Sequence, residues 1–258
     1  MQSFELQILK LPEQICYFNI VAMTETQGYG QFCPIAVAAE VIAERWTPLV
    51  LRGLFCGATR FNEIQGSVPR MSSALLSRRL KELEHAGIID RKPVTSGRGH
   101  EYSLTQSGQE LFPVLDKMGL WAQKWLRREI TSDKNLDPDA MFWELRQSIL
   151  SDNHRVENRR VVEFQLGGVP SSRRFYWLVF ENDNVDVCVK NPGHEVDLWV
   201  TSSMRTLVEL WLGHVSLSAA IGDESIRLDG SNKEVATFST WFTCSPMAKY
   251  GRMPAAKK

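Results

Sequence analysis

Small and basic side chains fall on one side of a helix that the sequence predicts between Ser72 and Gly87. Small residues near its start would let the helix approach base edges, and an arginine further along can donate two hydrogen bonds to guanine. Reading the major groove of DNA is the chemistry that suits this pattern. The face comprises Ala74, Ser77, Arg78 and Lys81, with Ser73 and Arg79 beside it for phosphate contacts.

A leucine stripe must hold this helix in place. Ser72 is a good N-cap and Gly87 a good stop, so both ends of the helix are marked. At about 100° per residue, the basic and small residues lie opposite the apolar stripe. The stripe consists of Leu76, Leu80 and Leu83, at i, i+4 and i+7.

Two short strands are expected directly after the helix, over residues 88–94 and 100–104, around the loop 95–99. Their basic residues could reach the DNA backbone beside a helix placed in the major groove, as in a winged helix-turn-helix. The alternative is that these charges form only a solvated surface, the usual meaning of scattered Lys and Arg. The predicted contacts of this wing are Arg91, Lys92, Arg98 and His100.

Residues 29 to about 126 closely resemble the HxlR-type transcriptional regulators, relatives of the MarR-like winged-helix group. This resemblance implies a dimeric regulator that places its winged helices on a palindromic operator and responds to a small molecule or an oxidant. The matching segments, in chain order, are residues 30–36, 44–47, 60–64, 76–83 and 101–105.

Two further helices are predicted upstream, over residues 34–46 and from Thr47 onward. A last helix of this domain carries more apolar surface than one winged-helix core can cover. The economical explanation is a dimer interface formed with the helix that starts at Pro34; packing against a second domain is the alternative. Its apolar residues are Leu111, Val114, Leu115, Met118, Trp121, Trp125 and Leu126.

Cys33 precedes Pro34 and therefore lies at or next to a helix N-cap. A helix N-terminus favours the thiolate form of a cysteine. Some regulators of the resembled family use a cysteine in this position to sense quinones or hypochlorite, so Cys33 is a redox-sensing candidate. The alternative is a small residue beside a cap, with no chemistry.

A second domain is predicted over residues 138–245, after a polar linker at 132–137. A helix comes first, then four strands, two helices, a fifth strand and a final helix with a capping-box signature at Ser231 and Glu234. Alternation within the strands places Tyr176, Leu178 and Phe180 on one side of the sheet. This order favours an α+β fold with helices on one face.

The second domain also resembles the sterol-carrier-protein type of lipid-binding domain, on residues 197–200, 207–213, 219–222 and 226–230. That resemblance implies an apolar tunnel between sheet and helices. Aromatic residues at strand or helix spacing are more often core, which is the alternative. Arg173, Arg174 or Arg205 could anchor a ligand carboxylate. The predicted cavity residues are Phe164, Phe175, Trp177, Val187, Leu207, Trp211, Phe238 and Trp241.

Composition sets the remaining bounds. The 258 residues carry no net formal charge, but residues 28–131 hold 14 Lys and Arg against 10 Asp and Glu. A local positive field is what a phosphate backbone senses. The five cysteines lack the spacing of a disulfide framework or a zinc site, which fits a cytoplasmic location. No apolar run is long enough to span a membrane.

The ends of the chain carry two expectations. Residues 1–27 are predicted to be an N-terminal extension, with translation expected to start at Met23, because the family resemblance begins only near Tyr29. The segment 246–258 is predicted to be a disordered tail.

The sequence therefore predicts two domains, a mainly-α winged helix-turn-helix at 28–131 and an α+β sterol-carrier-like domain with a five-stranded sheet. The predicted function is a homodimeric transcriptional regulator that binds double-stranded DNA and is modulated by an apolar small molecule or lipid, and by oxidation at Cys33. The alternative is a lipid carrier, or a subunit of a lipid-modifying enzyme, with a vestigial helix-turn-helix. No catalytic arrangement, metal site or cofactor motif is recognisable, so an enzyme is not expected.

Overall fold

The computed structural model describes residues 28–95, 98–151 and 156–252, with the side chains of 156–158 left out. The predictions for residues 1–27, the Met23 start and residues 253–258 lie outside the described residues. Within them, none of the helices combines the length and hydropathy needed to cross a bilayer.

The first domain has seven helices and a two-stranded hairpin in its described part. Both ends of the reading helix, α4, are as predicted, since Ser72 caps it and Gly87 follows it with a φ of 68°. The hairpin pairs antiparallel from Ile89 with Leu104 to Pro93 with His100. The elements are α1 Pro34–Ile42, α2 Thr47–Phe55, α3 Phe61–Ser67, α4 Ser73–His85, β1 Ile89–Pro93, β2 His100–Leu104, α5 Gln106–Gln109, α6 Phe112–Trp125 and α7 Arg127–Ile130.

The first core lies behind α4. Leu76, Leu80 and Leu83 are buried there, as predicted, among apolar residues of α2, α3 and the hairpin. Helix α1 ends at Ile42, four residues earlier than predicted, because Trp46 adopts a left-handed φ of 78° and becomes the N-cap of α2. A non-glycine residue in that region cannot continue a right-handed helix.

The second domain follows the predicted order of elements. A short 3-10 turn, Asp133–Asn135, occupies the linker. Helices α8, α9, α10 and α11 all contribute to one buried cluster, together with one face of the sheet. The elements are α8 Pro138–Ser151, β3 Val156–Gly167, β4 Phe175–Asn182, β5 Asn184–Cys188, β6 Leu198–Ser203, α9 Met204–Trp211, α10 Leu217–Gly222, β7 Ile226–Gly230, α11 Asn232–Trp241 and α12 Ala248–Gly251.

The five strands are ordered β5-β4-β3-β6-β7, with β3 and β6 parallel and the other pairs antiparallel. Tyr176, Leu178 and Phe180 face the helices together, as the alternation predicted. Trp177 and Val179 form a small cluster with Val161 on the opposite face. The helices therefore cover one side of the sheet and leave the other side largely to solvent.

The expectation of disorder after residue 245 is wrong for residues 246–252. Helix α12 forms there, and Ala248 and Gly251 are buried. The physical reason is tertiary, because α12 packs against Leu212 and Gly213 and against α6. Local sequence pattern does not report such a contact.

Candidate functional site

Helix α4 presents its predicted face to solvent. Ser72 Oγ accepts a hydrogen bond from Leu75 N at 3.3 Å, which fixes the start of the helix. The leucine stripe is buried beneath, and the opposite side is exposed within the described part of the chain. The exposed residues are Ser73, Ala74, Ser77, Arg78 and Lys81, all named from the sequence.

Arg78 is the most accessible arginine that could read a base on α4. Its side chain is 63% exposed, and its Nε lies 3.5 Å from Glu82 Oε1. An exposed i, i+4 pair of this kind is worth only about 0.3–0.5 kcal/mol. A phosphate or a guanine edge can therefore displace Glu82 at little cost.

Arg79 does not belong to this face. Its side chain is buried, contrary to the phosphate contact predicted for it. Its side chain is only 10% exposed, with Nη2 2.5 Å from Glu44 Oε2 and Nη1 2.5 Å from Glu82 Oε2. Arg79 points toward the segment after α1, where Glu44 binds it, and Glu82 of α4 binds its other terminal nitrogen. Its role is to position α4 against that segment, and no local pattern in the sequence points to Glu44 as its partner.

The wing places its cations outward. Arg91, Lys92 and Arg98 are exposed, whereas His100 is half-buried with its Nδ1 3.2 Å from Arg91 Nη2. Tyr102 N donates to Thr59 O at 2.8 Å, which ties the second strand of the wing to the start of α3. The loop residues 96 and 97 lie outside the described residues.

Glu63 is a positioning residue that sequence reasoning missed. Its Oε2 accepts hydrogen bonds from Thr59 N at 2.8 Å and Arg60 N at 3.0 Å, and so closes the start of α3. Arg60 Nη2 lies 3.0 Å from Glu101 Oε1 on the wing. The signal present in the sequence is a carboxylate three residues after the N-cap Arg60, which indicates a capping interaction.

Cys33 occupies the N-cap position of α1, as predicted. Its thiol is free, half-buried, and makes no capping hydrogen bond. The other cysteine of the first domain, Cys56, is different, because burial raises the pKa of its thiol. Of these two thiols, Cys33 has the position at a helix N-terminus that suits a sensing thiol.

A wide apolar surface is exposed on α1, α6 and the residues before α1. Helix α1 has no buried residue. Trp121 of α6 is 57% exposed, although a tryptophan buries a large apolar area when it finds a partner. The exposed apolar residues are Tyr29, Phe32, Ile35, Val37, Phe112, Val114, Met118, Trp121 and Trp125.

The opposite side of α6 contacts the second domain. Tyr250 Oη donates to Asp116 Oδ2 at 2.5 Å, and His214 Nε2 lies 2.6 Å from Gln123 Oε1. The bond from Tyr250 holds the pKa of the Asp116 carboxyl below its ordinary value. The alternative that this helix packs against a second domain is therefore correct in part. Helix α6 contacts that domain through its polar and small residues, not through its large apolar ones.

Two ion pairs and one aromatic contact extend this interface to α2, α3 and α8. Arg52 Nη1 lies 2.7 Å from Glu144 Oε1, and Arg70 Nε lies 2.7 Å from Asp137 Oδ2. The Trp143 ring covers Gly66, so closely that a Cβ on Gly66 would fall 2.6 Å from Trp143 Cδ1. The two domains are therefore joined by direct contacts and not by the linker alone.

The structure divides the eight predicted cavity residues between the two faces of the sheet, so they do not line one common cavity. Five of them are buried in the aromatic core under the helices, and Val187 packs partly against it. Phe175 and Trp177 belong to the opposite face of the sheet, and Phe175 is 37% exposed. Aromatic side chains fill the space instead, since edge-to-face contacts link the core residues Phe164, Phe180, Phe238 and Trp241.

Comparison with known proteins gives a match in the first domain. Residues 41–130 match the family model described as HxlR-like helix-turn-helix. The uncharacterised helix-turn-helix transcriptional regulator YvaP of Bacillus subtilis is 39% identical over 100 residues, which are 38% of this chain and 92% of that protein.

An uncharacterised helix-turn-helix transcriptional regulator of Synechocystis sp. is also 39% identical, over 43% of this chain and 87% of that protein. Among solved structures, the reduced form of the transcriptional regulator YodB from B. subtilis is 33% identical. It covers 36% of this chain and 94% of that chain, with a TM-score of 0.33.

Proposed function

Because the chain belongs to the HxlR-like helix-turn-helix family of transcriptional regulators, we propose that it binds a palindromic operator as a homodimer, through α4 and the β1–β2 wing. The observation that carries this proposal is the exposed, basic face of α4 above a buried leucine stripe. Two-fold symmetry would place half-sites about 10 base pairs apart.

The exposed apolar surface on α1 and α6 supports the dimer. A monomer rarely leaves so many large apolar side chains in water, and a two-fold interface covers the same surface on both copies. The face of α6 that contacts the second domain is a different one, so both contacts can exist together.

We propose that the second domain is the effector domain, of the sterol-carrier-like kind that the sequence resembles. Its support is the five-stranded sheet with helices over one face. The filled aromatic core argues against an apolar ligand at the residues first expected. A ligand must therefore enter elsewhere in this domain.

We also propose that oxidation at Cys33 modulates the regulator. This thiol begins the helix that would form part of the dimer interface. A disulfide or an adduct there would change how two copies pack, and so change the spacing of the two α4 helices.

The main test is Arg78→Ala, measured by fluorescence anisotropy on duplex DNA from upstream of the gene and on a scrambled duplex. We expect about 10- to 100-fold weaker binding to the specific duplex, with preference over the scrambled duplex lost. Arg91→Ala on the wing should instead weaken both duplexes alike and reduce the salt slope by about 1.

Arg159→Ala is the matched control. This exposed arginine lies on β3 in the second domain, where it pairs with Glu181, and it belongs to neither α4 nor the wing. It should leave both affinities unchanged. Full operator preference in the Arg78→Ala protein would refute the assignment of the reading face.

A further inference from the structure

The face of the second-domain sheet that points away from the helices carries a row of outward-facing side chains across its middle. Strand register makes Trp177 of β4, Glu163 of β3 and Trp199 of β6 direct neighbours in this row. Phe164 and Tyr176, one position away on β3 and β4, point the other way and are buried under the helices. The Glu163 carboxylate is therefore placed between two tryptophans.

The two tryptophans are accessible to different degrees. Trp177 is buried in the small cluster with Val161 and Val179, whereas Trp199 remains 43% exposed. Phe175, the next outward-facing residue of β4, is 37% exposed, and its ring centroid lies 6.0 Å from that of Trp177. The exposed rings keep an apolar area that a ligand can still cover. The middle of this face is thus an aromatic surface that is open to solvent on the Trp199 side.

Glu163 is held in place but lacks a cationic partner. Its Oε2 accepts a hydrogen bond from Trp177 Nε1 at 2.9 Å, which orients the carboxylate. No lysine, arginine or histidine of the described residues forms an ion pair with it, and its Oε1 accepts no hydrogen bond from them. The side chain is half-buried, so a nearby positive charge interacts with it more strongly than with a fully exposed carboxylate.

The charge balance of this face favours a cation. Its strands place four carboxylates and two guanidinium groups there, and both guanidinium groups already have partners. Arg159 Nη2 lies 2.6 Å from Glu181 Oε1. Arg227 Nε lies 2.8 Å from Asp229 Oδ2. Two carboxylates therefore remain without a cation from the described part of the chain. The six charged residues of this face are Arg159, Glu163, Glu181, Asp186, Arg227 and Asp229.

An organic cation suits this surface better than a metal ion. Calcium and magnesium ions require several oxygen ligands, and the described residues hold no group of side chains that could supply them. A quaternary ammonium instead places its charge over the negative face of an aromatic ring, and tryptophan is the best of these rings. The chain already makes this kind of contact next door, where the Arg174 guanidinium lies 5.8 Å from the Phe175 ring centroid. Among the described residues, no cation lies over Trp199.

We propose that the outward face of the sheet binds a small organic cation of the quaternary ammonium class, which lies over the Trp199 ring with the Glu163 carboxylate as its counter-charge. The proposal deepens the proposed function, because it names the class of effector, and it rests on that function for the regulatory meaning of the ligand. The site lies on the opposite face of the sheet from the filled aromatic core, so binding does not require that core to open.

Titration of the full chain without DNA tests the site, with choline and 3,3-dimethylbutan-1-ol as probes of nearly the same shape. The alcohol has carbon in place of the ammonium nitrogen and so lacks only the charge. The chain is isotope-labelled in its tryptophan nitrogens. Binding is followed by nuclear magnetic resonance at the indole N–H of Trp199, which is identified by its loss in Trp199→Leu. We expect choline to shift this resonance and to bind about tenfold or more tightly than the alcohol.

Glu163→Gln tests the counter-charge. Glutamine keeps the size of the side chain and an oxygen that can accept from Trp177 Nε1, so the sheet should fold as before. We expect choline binding to weaken about tenfold while alcohol binding stays unchanged, since only the charge attraction is lost. Glu181→Gln is the matched control, because it neutralises a carboxylate on the same face that Arg159 already binds. It should bind both probes as the wild type does.

Equal binding of choline and the alcohol would overturn the cationic class, and no shift of the Trp199 resonance with either probe would overturn the site. Undiminished choline binding in Glu163→Gln would overturn the assigned counter-charge. A Trp199 resonance that moves with protein concentration alone would assign this face to a second copy of the chain and overturn the proposal. Operator binding is measured separately by anisotropy. A chain that binds its operator but not choline refutes this inference only, whereas one that binds choline but no DNA refutes the proposed function.

Discussion

Two neighbouring arginines show how far residue types lead. Arg78 and Arg79 are equivalent by composition, yet one faces solvent and the other is clamped between Glu44 and Glu82. Helical periodicity placed Arg78 correctly and left Arg79 near the edge of the face. Glu44, a residue 35 positions earlier, binds Arg79 and keeps it away from solvent. Local spacing cannot reveal such a distant partner.

Cys33→Ser is the prediction for the sensing thiol. If the thiol at the start of α1 controls the dimer interface, the variant should keep operator affinity but lose its response to diamide or a quinone. The measurement is anisotropy on the operator duplex before and after treatment. Cys188→Ser is the control, because burial raises the pKa of that thiol in the second domain. An unchanged oxidant response in the Cys33→Ser protein would assign the chemistry elsewhere.

At the scale of elements, the sequence predicted the order of helices and strands and the side chains that share a face. Caps, turns and alternation are local signals, and they located α4, α8 and α11 closely. Alternation does not say which face of a sheet the helices cover. For that reason the sequence predicts one cavity for Trp177 and Phe164, whereas the two residues lie on opposite faces of the sheet.

Gly66→Ala tests the contact between α3 and α8. The added methyl group would meet the Trp143 ring at 2.6 Å, so the ring must move and the domains must repack. We expect a loss of about 1–3 kcal/mol in the free energy of unfolding, measured by urea denaturation.

Gly222→Ala in α10 is the matched control, because no atom lies within 4 Å of its added Cβ. It should be neutral or stabilising by up to about 1 kcal/mol, as expected for alanine in a helix. Equal stability of both variants would mean that Trp143 does not hold the domains together.

The two domains are joined by contacts that centre on α6. Polar and small residues of this helix meet the second domain, while its large apolar residues remain exposed. The linker between the domains is itself held, since Arg205 pairs with Asp133 and Arg70 pairs with Asp137. None of these long-range partners could be read from the sequence.

Trp121→Glu is the prediction for the dimer. A charge at the centre of the exposed apolar surface would have to be desolvated at an interface, so we expect a monomer by native mass spectrometry. Arg159→Glu, a charge change on an exposed residue of β3 in the second domain, should remain dimeric. A Trp121→Glu protein that stays dimeric would exclude this face of α6 from the interface.

His214 makes the contact between the domains dependent on pH. Burial, with a smaller contribution from Arg127, lowers the pKa of His214 from 6.5 to about 4. Between these pH values the His214 imidazole is protonated in the unfolded chain but stays neutral in the folded chain. The free energy of unfolding therefore falls as the pH is lowered. Urea midpoints at about pH 7 and about pH 5 should therefore differ less in His214→Gln than in the wild type. An equal difference in both proteins would place the acid sensitivity in other groups.

The clamped linker has a mechanical consequence. Each second domain would travel with its own α6 as a rigid arm, and two such arms would flank the dimer axis. A ligand that changes the shape of a second domain would then alter the separation of the two α4 helices. The contacts of each α4 with bases would stay the same. Under the proposed function, an effector would consequently change the distance between the two α4 helices. It would then favour operators with a different number of base pairs between half-sites.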